Sequence, residues 1–297
     1  MTGGSSSIRI LKMSVFNIQN EDISLRQAVL SAAEFLNKCG VEDADTDVML
    51  LLEKAAGYSR NRYFMCRDEK MEPDAKAAFS KMITKRGERI PLQHITGEAY
   101  FYGRRFIVDE SVLVPRMDTE ILVEEALKDI KPGMSVLDLC TGSGCIAVTL
   151  AKEADIKITA SDISGRALDT AKKNAFLNKA DCEFVRSDMF ENINSRFDVI
   201  VSNPPYIRRG DIGSLQEEVR KHDPLNALDG GDDGLDFYRI ISDEGKKHLY
   251  PHGRIYLEIG SDQAEEVAGL LSAAGFAEIC VVKDLNGLQR VVKAKLQ

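Results

Sequence analysis

Tryptophan is absent from the 297 residues, and the six cysteines never pair in spacing. Cys39, Cys66, Cys140, Cys145, Cys182 and Cys280 form no C-x-x-C and have no histidine at ligand distance. That pattern argues against a disulfide framework or a structural metal, and it predicts reduced thiols in a cytoplasmic protein. Histidine is scarce as well: His248 and His252 lie four apart, but Pro251 and Gly253 break any helix that would align them. No apolar run approaches the ~18–20 residues that span a bilayer, so no membrane role is expected. Basic charge is short too, with Lys and Arg totalling 39 against 47 Asp and Glu, a net charge of −8. Gripping a phosphate backbone needs clustered Lys and Arg, so nucleic acid is not the expected partner. Residues 1–7 are Gly/Ser-rich with no apolar stretch, which reads as a disordered tail rather than a signal peptide. What is present is the composition of a globular chain, 44% hydrophobic and 29% charged, long enough for more than one core.

Residues 8–89 carry a helical pattern. Ser24 can cap a helix bearing Leu25, Ala28, Val29, Ala32 and Leu36, which Gly40 ends. A second helix runs from Asp43 to Gly57, and a third starts at Pro73, a permitted early position, and ends at Gly87. Residues 90–115 change character. Tyr100–Tyr102 and Phe106–Val108 flank Gly103-Arg104 and read as a β-hairpin linker, with an aromatic such as Phe101 available to a core or to a site wall. From residue 116 the elements alternate. Strands are expected at 135–139, 156–161, 182–187, 197–202, 254–259, 276–282 and 290–295, with helices at 118–130, 145–153, 165–178, 235–249 and 262–274 between them. Such an order predicts a doubly wound, mostly parallel α/β sheet over 116–297. The last two strands are joined by the short Asp284-Leu285-Asn286-Gly287 link, so the last is expected to run antiparallel.

The chemistry concentrates at strand ends. Phe197–Ser202 is a buried-strand pattern that stops at Asn203-Pro204-Pro205-Tyr206, where two prolines forbid both a further ladder and a helix start. An Asn amide is thus held on a stiff turn at the carboxyl end of a strand, where open α/β sheets bind ligands. Earlier, Cys140-Thr141-Gly142-Ser143-Gly144 joins a strand to a helix, and Asp162 ends the next strand 20 residues after Gly142. That pattern fits an adenosine cofactor, either a dinucleotide or S-adenosylmethionine. Asp138 tilts the choice, because a carboxylate there repels a pyrophosphate and favours an ammonium and a sulfonium. Asp188, followed by Met189, ends the third strand and suits an adenine amino group. S-adenosylmethionine, leaving S-adenosylhomocysteine, fits better. Methyl transfer to an amide nitrogen then needs both N–H groups accepted, by the Asn203 side-chain oxygen and the Pro204 carbonyl, with Tyr206 packed on the planar group.

The stretches PLQHITGEAYFYG (91–103), VLVPRMDTE (112–120), LDLCTGSGCIA (137–147), NPPYI (203–207), DPLNALDGGDDGLDFY (223–238) and LEIG (257–260) make the chain resemble, over nearly its whole length, the release-factor glutamine N5-methyltransferases, the HemK/PrmC family. The resemblance implies a Rossmann-like methyltransferase sheet and a helical domain that docks a peptide chain release factor. It implies as substrate the glutamine of that factor's Gly-Gly-Gln motif, methylation of which modulates translation termination. By position it puts cofactor contacts at Cys140 to Gly144, Asp162, Asp188 or Met189, and Asn203, and substrate contacts at Asn203 to Tyr206. Phe101 and Arg116 are further expected substrate contacts. A monomer is expected, as no heptad pattern is present. Three positions depart from the family's pattern: Cys140 stands where the loop often begins with Gly, Met117 where Pro is usual, and Asp223 where Glu is common. Cys140 is therefore expected to resist positive φ. Two rival readings remain at this level: a DNA adenine-N6 methyltransferase using the same tetrapeptide, and a binding protein that has kept the fold.

Overall fold

The computed structural model describes residues 15–18 and 22–297; the tail expected over 1–7 lies outside the described residues. One compact unit ends at Thr96, and a second runs from Gly97 to Gln297.

The first unit is helical: α1 (Leu25–Lys38), α2 (Ala44–Ala56), α3 (Arg60–Cys66), α4 (Pro73–Gly87) and α5 (Leu92–Thr96). Ser24 and Gln27 close a reciprocal capping box at the start of α1, satisfying two amides that the helix cannot. Gly57 ends α2 in the left-handed conformation, with φ +69°. Leu25, Leu36, Leu51, Leu52, Phe79 and Ile83 are fully buried and form its core. Within that core Arg86 Nε donates to Asp47 Oδ2 at 2.6 Å, a paired charge that links α2 to α4. Neither α3 nor α5 is expected from the pattern. α3 buries only Tyr63 and α5 buries no residue, so neither has an apolar period to read.

The second unit opens with a hairpin of β1 (Glu98–Phe101) and β2 (Arg104–Ile107). Tyr102 and Gly103 join them with φ +50° and +71°, the two left-handed residues that a twist-matched two-residue turn requires. There follow α6 (Thr119–Leu127), β3 (Ser135–Leu139), α7 (Cys145–Glu153), β4 (Lys157–Asp162), α8 (Gly165–Asn178), β5 (Glu183–Arg186) and β6 (Phe197–Ser202). After β6 come α9 (Glu217–His222), α10 (Asp236–Gly245), β7 (Leu249–Glu258), α11 (Ala264–Ala273), β8 (Phe276–Lys283) and β9 (Gln289–Leu296). The sheet has the order β5-β4-β3-β6-β7-β9-β8. All neighbours are parallel except at β9, which runs antiparallel to both β7 and β8. The doubly wound sheet with its last strand reversed is thus present as the sequence predicts.

Strand order reverses between β3 and β6, and that crevice is where a doubly wound sheet offers a site. Helices cover both faces, so β6 is buried along its length, with Val199, Ile200, Val201 and Ser202 at or near zero exposure. The one charge in β6 is capped: Asp198 Oδ2 accepts from Ser135 N at 2.8 Å and from Ser135 Oγ at 2.9 Å. At the other end Ser202 Oγ donates to the Leu139 carbonyl at 2.6 Å, which fixes the ends of β3 and β6 side by side.

Candidate active site

A cavity of about 730 Å³ lies at the carboxyl ends of β3, β4 and β6, closed on one side by residues 187–189 and on another by residues 224–227. Its wall contains Cys140 to Ser143, Asp162, Asp188, Met189, Asn203, Pro205 and Arg116, all expected from the sequence. Five other expected residues do not line it: Asp138, Gly144, Pro204, Tyr206 and Phe101.

The floor is the turn from β3 into α7. Cys140, Gly142 and Gly144 have φ of +62°, +55° and +78°. Cys140 therefore adopts the left-handed region that its side chain was expected to resist, because Thr141 N on the Ser161 carbonyl (2.9 Å) and the β3 ladder dictate the path on either side. Gly144 has a second reason to lack a Cβ, since one there would come within 2.9 Å of the Ala171 Cβ on α8. Asp162 holds this turn with both oxygens, Oδ2 accepting from Gly142 N at 2.9 Å and Oδ1 from Ser164 N at 2.8 Å. Burial raises its carboxyl above the usual range, opposed by those amides.

Asp138 serves from below. It is fully buried, accepts from Thr141 Oγ1 at 2.5 Å and from Ala147 N at 3.1 Å, and so braces the turn rather than facing the cavity. Burial pushes its carboxyl up to about 7, against those hydrogen bonds. A further brace escaped sequence reading. Asn174 of α8, wholly buried, donates to the carbonyls of Ser143 and Ile107, each at 2.9 Å, and accepts from Ile107 N at 2.6 Å. It binds the glycine turn to the hairpin, and a lone Asn in a helical pattern gives no sign of that. Phe101 corrects an expectation in the same region: it is 1% exposed and packs edge-on against Phe106 at 6.1 Å, inside the core.

On the other side of the cavity stands the tetrapeptide. Asn203 Nδ2 donates to Thr119 Oγ1 at 3.3 Å, an amide assignment that leaves Oδ1 as the acceptor. The backbone beyond it is pinned, with Ile207 N on the Leu228 carbonyl at 3.0 Å and Gly230 N on the Ile207 carbonyl at 2.9 Å. A Cβ on Gly230 would fall 2.8 Å from the Tyr206 Cα, so only glycine lets that segment lie against the tetrapeptide. Tyr206 is half-buried, and its hydroxyl reaches Glu258 Oε1 at 3.5 Å.

Glu258 went unnoticed in the sequence although it lies within the LEIG stretch. It ends β7, is 2% exposed, and its Oε2 has no hydrogen-bond partner. Burial pushes its carboxyl up to about 7, while hydrogen bonding from Thr119, the Arg290 charge and Tyr206 act the other way. Arg116, on the cavity wall, pairs through Nη2 with Asp223 Oδ2 at 3.3 Å, and the Asp223 side chain is wholly shielded. Burial pushes the Asp223 carboxyl up to about 6 despite that partner. The pair ties the segment before α6 to residues 224–227 of the cavity wall. Among the described residues no cluster of three His, Cys, Asp or Glu could hold a metal ion, and no helix is long and apolar enough to cross a membrane.

The sheet order, the glycine turn and one cavity at the strand-order reversal define a Rossmann-like methyltransferase. Solved structures agree on the fold. A methyltransferase from Pyrococcus furiosus superposes with a TM-score of 0.52 at 19% identity, covering 66% of this chain and 90% of that one. A 16S rRNA N2 G1207 methyltransferase from T. thermophilus gives 0.50 at 18% identity, covering 67% and 50%. Family models match as the methyltransferase small domain over residues 116–219 and as the PrmC N-terminal domain over residues 27–97. Release factor glutamine methyltransferases from Geobacter sulfurreducens and Cereibacter sphaeroides are 41% and 42% identical, spanning 88% and 91% of this chain and 93% and 97% of their own. The chain belongs to the release factor glutamine methyltransferase family.

Proposed function

We propose that this protein transfers a methyl group from S-adenosylmethionine to the side-chain amide nitrogen, N5, of the glutamine in the Gly-Gly-Gln motif of peptide chain release factors. The observation that carries the reading is the Asn203 amide at the end of β6. Its nitrogen is engaged by Thr119, so its oxygen is the group offered to an incoming N–H. S-adenosylmethionine supplies an electrophilic methyl on a sulfonium. The wall suits it: Asp162 for the ribose hydroxyls, Asp188 and Met189 for the adenine, and the Cys140–Ser143 backbone for the carboxylate, with Gly144 completing the turn behind it. Ser161 Oγ, buried on that same wall without a hydrogen-bond partner, is a polar atom that a ligand would satisfy.

An amide nitrogen is a poor nucleophile, because its lone pair is delocalised into the carbonyl. Asn203 Oδ1 and the Pro204 carbonyl accept its two N–H groups, orient it along the transfer axis and stabilise positive charge building on it. The methyl would pass from sulfur to nitrogen, the S–CH₃ bond breaking to leave S-adenosylhomocysteine, and one amide proton would go to solvent. Pro205 stiffens the turn, and the Tyr206 ring gives the planar group a face. The helical unit docks the release factor. The protein works in the cytoplasm as a monomer, without nucleic acid, in keeping with its unpaired cysteines and net charge of −8.

Mass spectrometry of a release factor incubated with the protein and S-adenosylmethionine tests the reading. It expects one added methyl on the Gly-Gly-Gln glutamine. An unmodified factor, or methyl found on DNA adenine instead, overturns it.

A further inference from the structure

We propose that Gln263 is a positioning residue for methyl transfer: its side-chain amide anchors the far end of the Asn203–Tyr206 turn, so that the clamp on the substrate amide is held at both ends. This rests on the functional reading above.

A turn that contains two prolines cannot fasten itself. Pro204 and Pro205 have no N–H to give, so half of the tetrapeptide cannot donate a hydrogen bond from its own backbone. The proline rings fix φ locally and leave the placement of the whole turn to whatever grips it from outside. The near end has its grip, since Ser202 belongs to the β6 ladder opposite Leu257 and Asn203 is joined to Thr119. At the far end Gln263 Nε2 donates to the Tyr206 carbonyl at 3.0 Å.

Gln263 immediately precedes α11 and is 2% exposed. Its Nε2 also donates to the Gly234 carbonyl at 3.2 Å, and its Oε1 accepts from Gly260 N at 2.9 Å. These three main-chain groups decide which way the carboxamide points, because turning it over would set its oxygen against two carbonyls and its NH₂ against an N–H. Buried as it is, a bond lost here is not replaced by water. Close approach is built in: a Cβ on Gly234, whose φ is +77°, would fall 2.5 Å from the Tyr206 carbonyl oxygen and 2.6 Å from Gln263 Nε2. One side chain therefore ties together the tetrapeptide, the glycine-rich loop and the end of β7. Asn203 and Pro205 line the cavity on one side, and residues 224–227 with Asp229, which lead into that loop, line it on another. Gln263 does not line the cavity, yet it sets the spacing of two of its walls.

The segment after the tetrapeptide and the start of α11 are joined a second time at the surface, where Arg208 Nη1 meets Asp262 Oδ2 at 2.7 Å between exposed side chains. That pair separates positioning from mere connection, since breaking it leaves the Tyr206 carbonyl in the grip of Gln263.

The test measures, in the full chain, cofactor Kd, KM for a release factor, and kcat counted per cofactor-binding site, so that molecules lost to misfolding drop out of the rate. The variants are Gln263→Met, Gln263→Asn, Gly234→Ala, the Gln263→Met/Gly234→Ala pair and Asp262→Ala. Gln263→Met keeps the length and gives no hydrogen; its kcat should fall about tenfold or more while KM and the cofactor Kd shift less than about threefold, because a displaced clamp is felt at the transition state. Gln263→Asn, one methylene short of the carbonyl, should fall in the same direction. Asp262→Ala should keep kcat within about twofold, as an exposed ion pair contributes little. The double variant should lose less than the product of its two single losses, because both changes displace one carbonyl. Unchanged kcat per site in Gln263→Met, an equal loss in Asp262→Ala, or multiplying losses in the double variant would overturn the proposal. If Gln263→Met does not fold, Gln263→Asn decides by the same rate. Absence of methylated glutamine with the unmodified chain refutes the functional reading itself, whereas an active parent with unaffected variants refutes only the role of Gln263.

Discussion

Asn203 gives an amide hydrogen to Thr119 across 3.3 Å, and by doing so it keeps its oxygen for a partner outside the fold. On the proposed reading other walls of the cavity hold the cofactor, so removing that oxygen should remove catalysis while sparing cofactor binding. Asn203→Ala is expected to lower kcat by about 100-fold or more, the scale set by losing one preorganised group at a developing charge. Calorimetric affinity for S-adenosylmethionine should stay within about threefold. Turnover near the parent value would reject the clamp.

Asp162 has the opposite profile. Its oxygens hold the amides of Gly142 and Ser164, and the carboxylate also lines the cavity. Asp162→Ala should weaken the cofactor by about 10- to 100-fold, since hydrogen bonds to a charged group contribute roughly 1.5–3 kcal/mol. An unaltered binding isotherm would count against the ribose contact.

Cys140 sits at φ +62°, where an L side chain costs about 1–2 kcal/mol relative to glycine. At most positions alanine is more stable than glycine; here the order should invert. Chemical denaturation is expected to rank Cys140→Gly above Cys140→Ala by about 1 kcal/mol. Equal midpoints would show that the turn relaxes to negative φ in solution.

The Glu258 carboxyl is raised from 4.5 to about 7 by burial, so between those values the folded chain binds the proton that the unfolded chain has lost. Stability contributed by this group is therefore present at low pH and lost as pH rises through 7. Glu258→Gln does not titrate, so its stability relative to the parent should climb between pH 5 and 8 by up to about 3 kcal/mol. The other groups near this carboxyl, Arg290, Asp118, Tyr206 and Tyr238, are common to both proteins and cancel in the difference. Parallel pH curves for the two proteins would refute the burial argument.

Much of the architecture is readable because each strand and helix of the second unit has its own period and its own stop. β3, α8 and β6 fall on their expected residues, since a β-branched run, a capped 3.6-residue pattern and a proline pair each mark an end. The glycine turn and Asn203 are readable because their residue types are rare solutions to local problems. What stays hidden is whatever depends on distant neighbours. Thr119, Asn174 and Glu258 are ordinary letters until the fold brings each beside its partner, with Asn174 and Ile107 67 positions apart. The misplacement of Phe101 has the same origin, since a strand pattern says that two faces differ without saying which meets the site. α3 and α5 show the lower limit, as neither helix buries a stripe of its own.

The position of β9 bears on how the edge of the sheet is tied to the site. It lies between β7 and β8, so β8 is joined to the rest of the sheet only through the strand that follows it in sequence. The sheet is thus stitched backwards at its edge, and it is the β7–β9 pairing that brings Arg290, carried on β9, into the neighbourhood of Glu258. One strand therefore carries two duties, extending the sheet beyond β7 and setting a positive charge beside the buried carboxyl that ends β7.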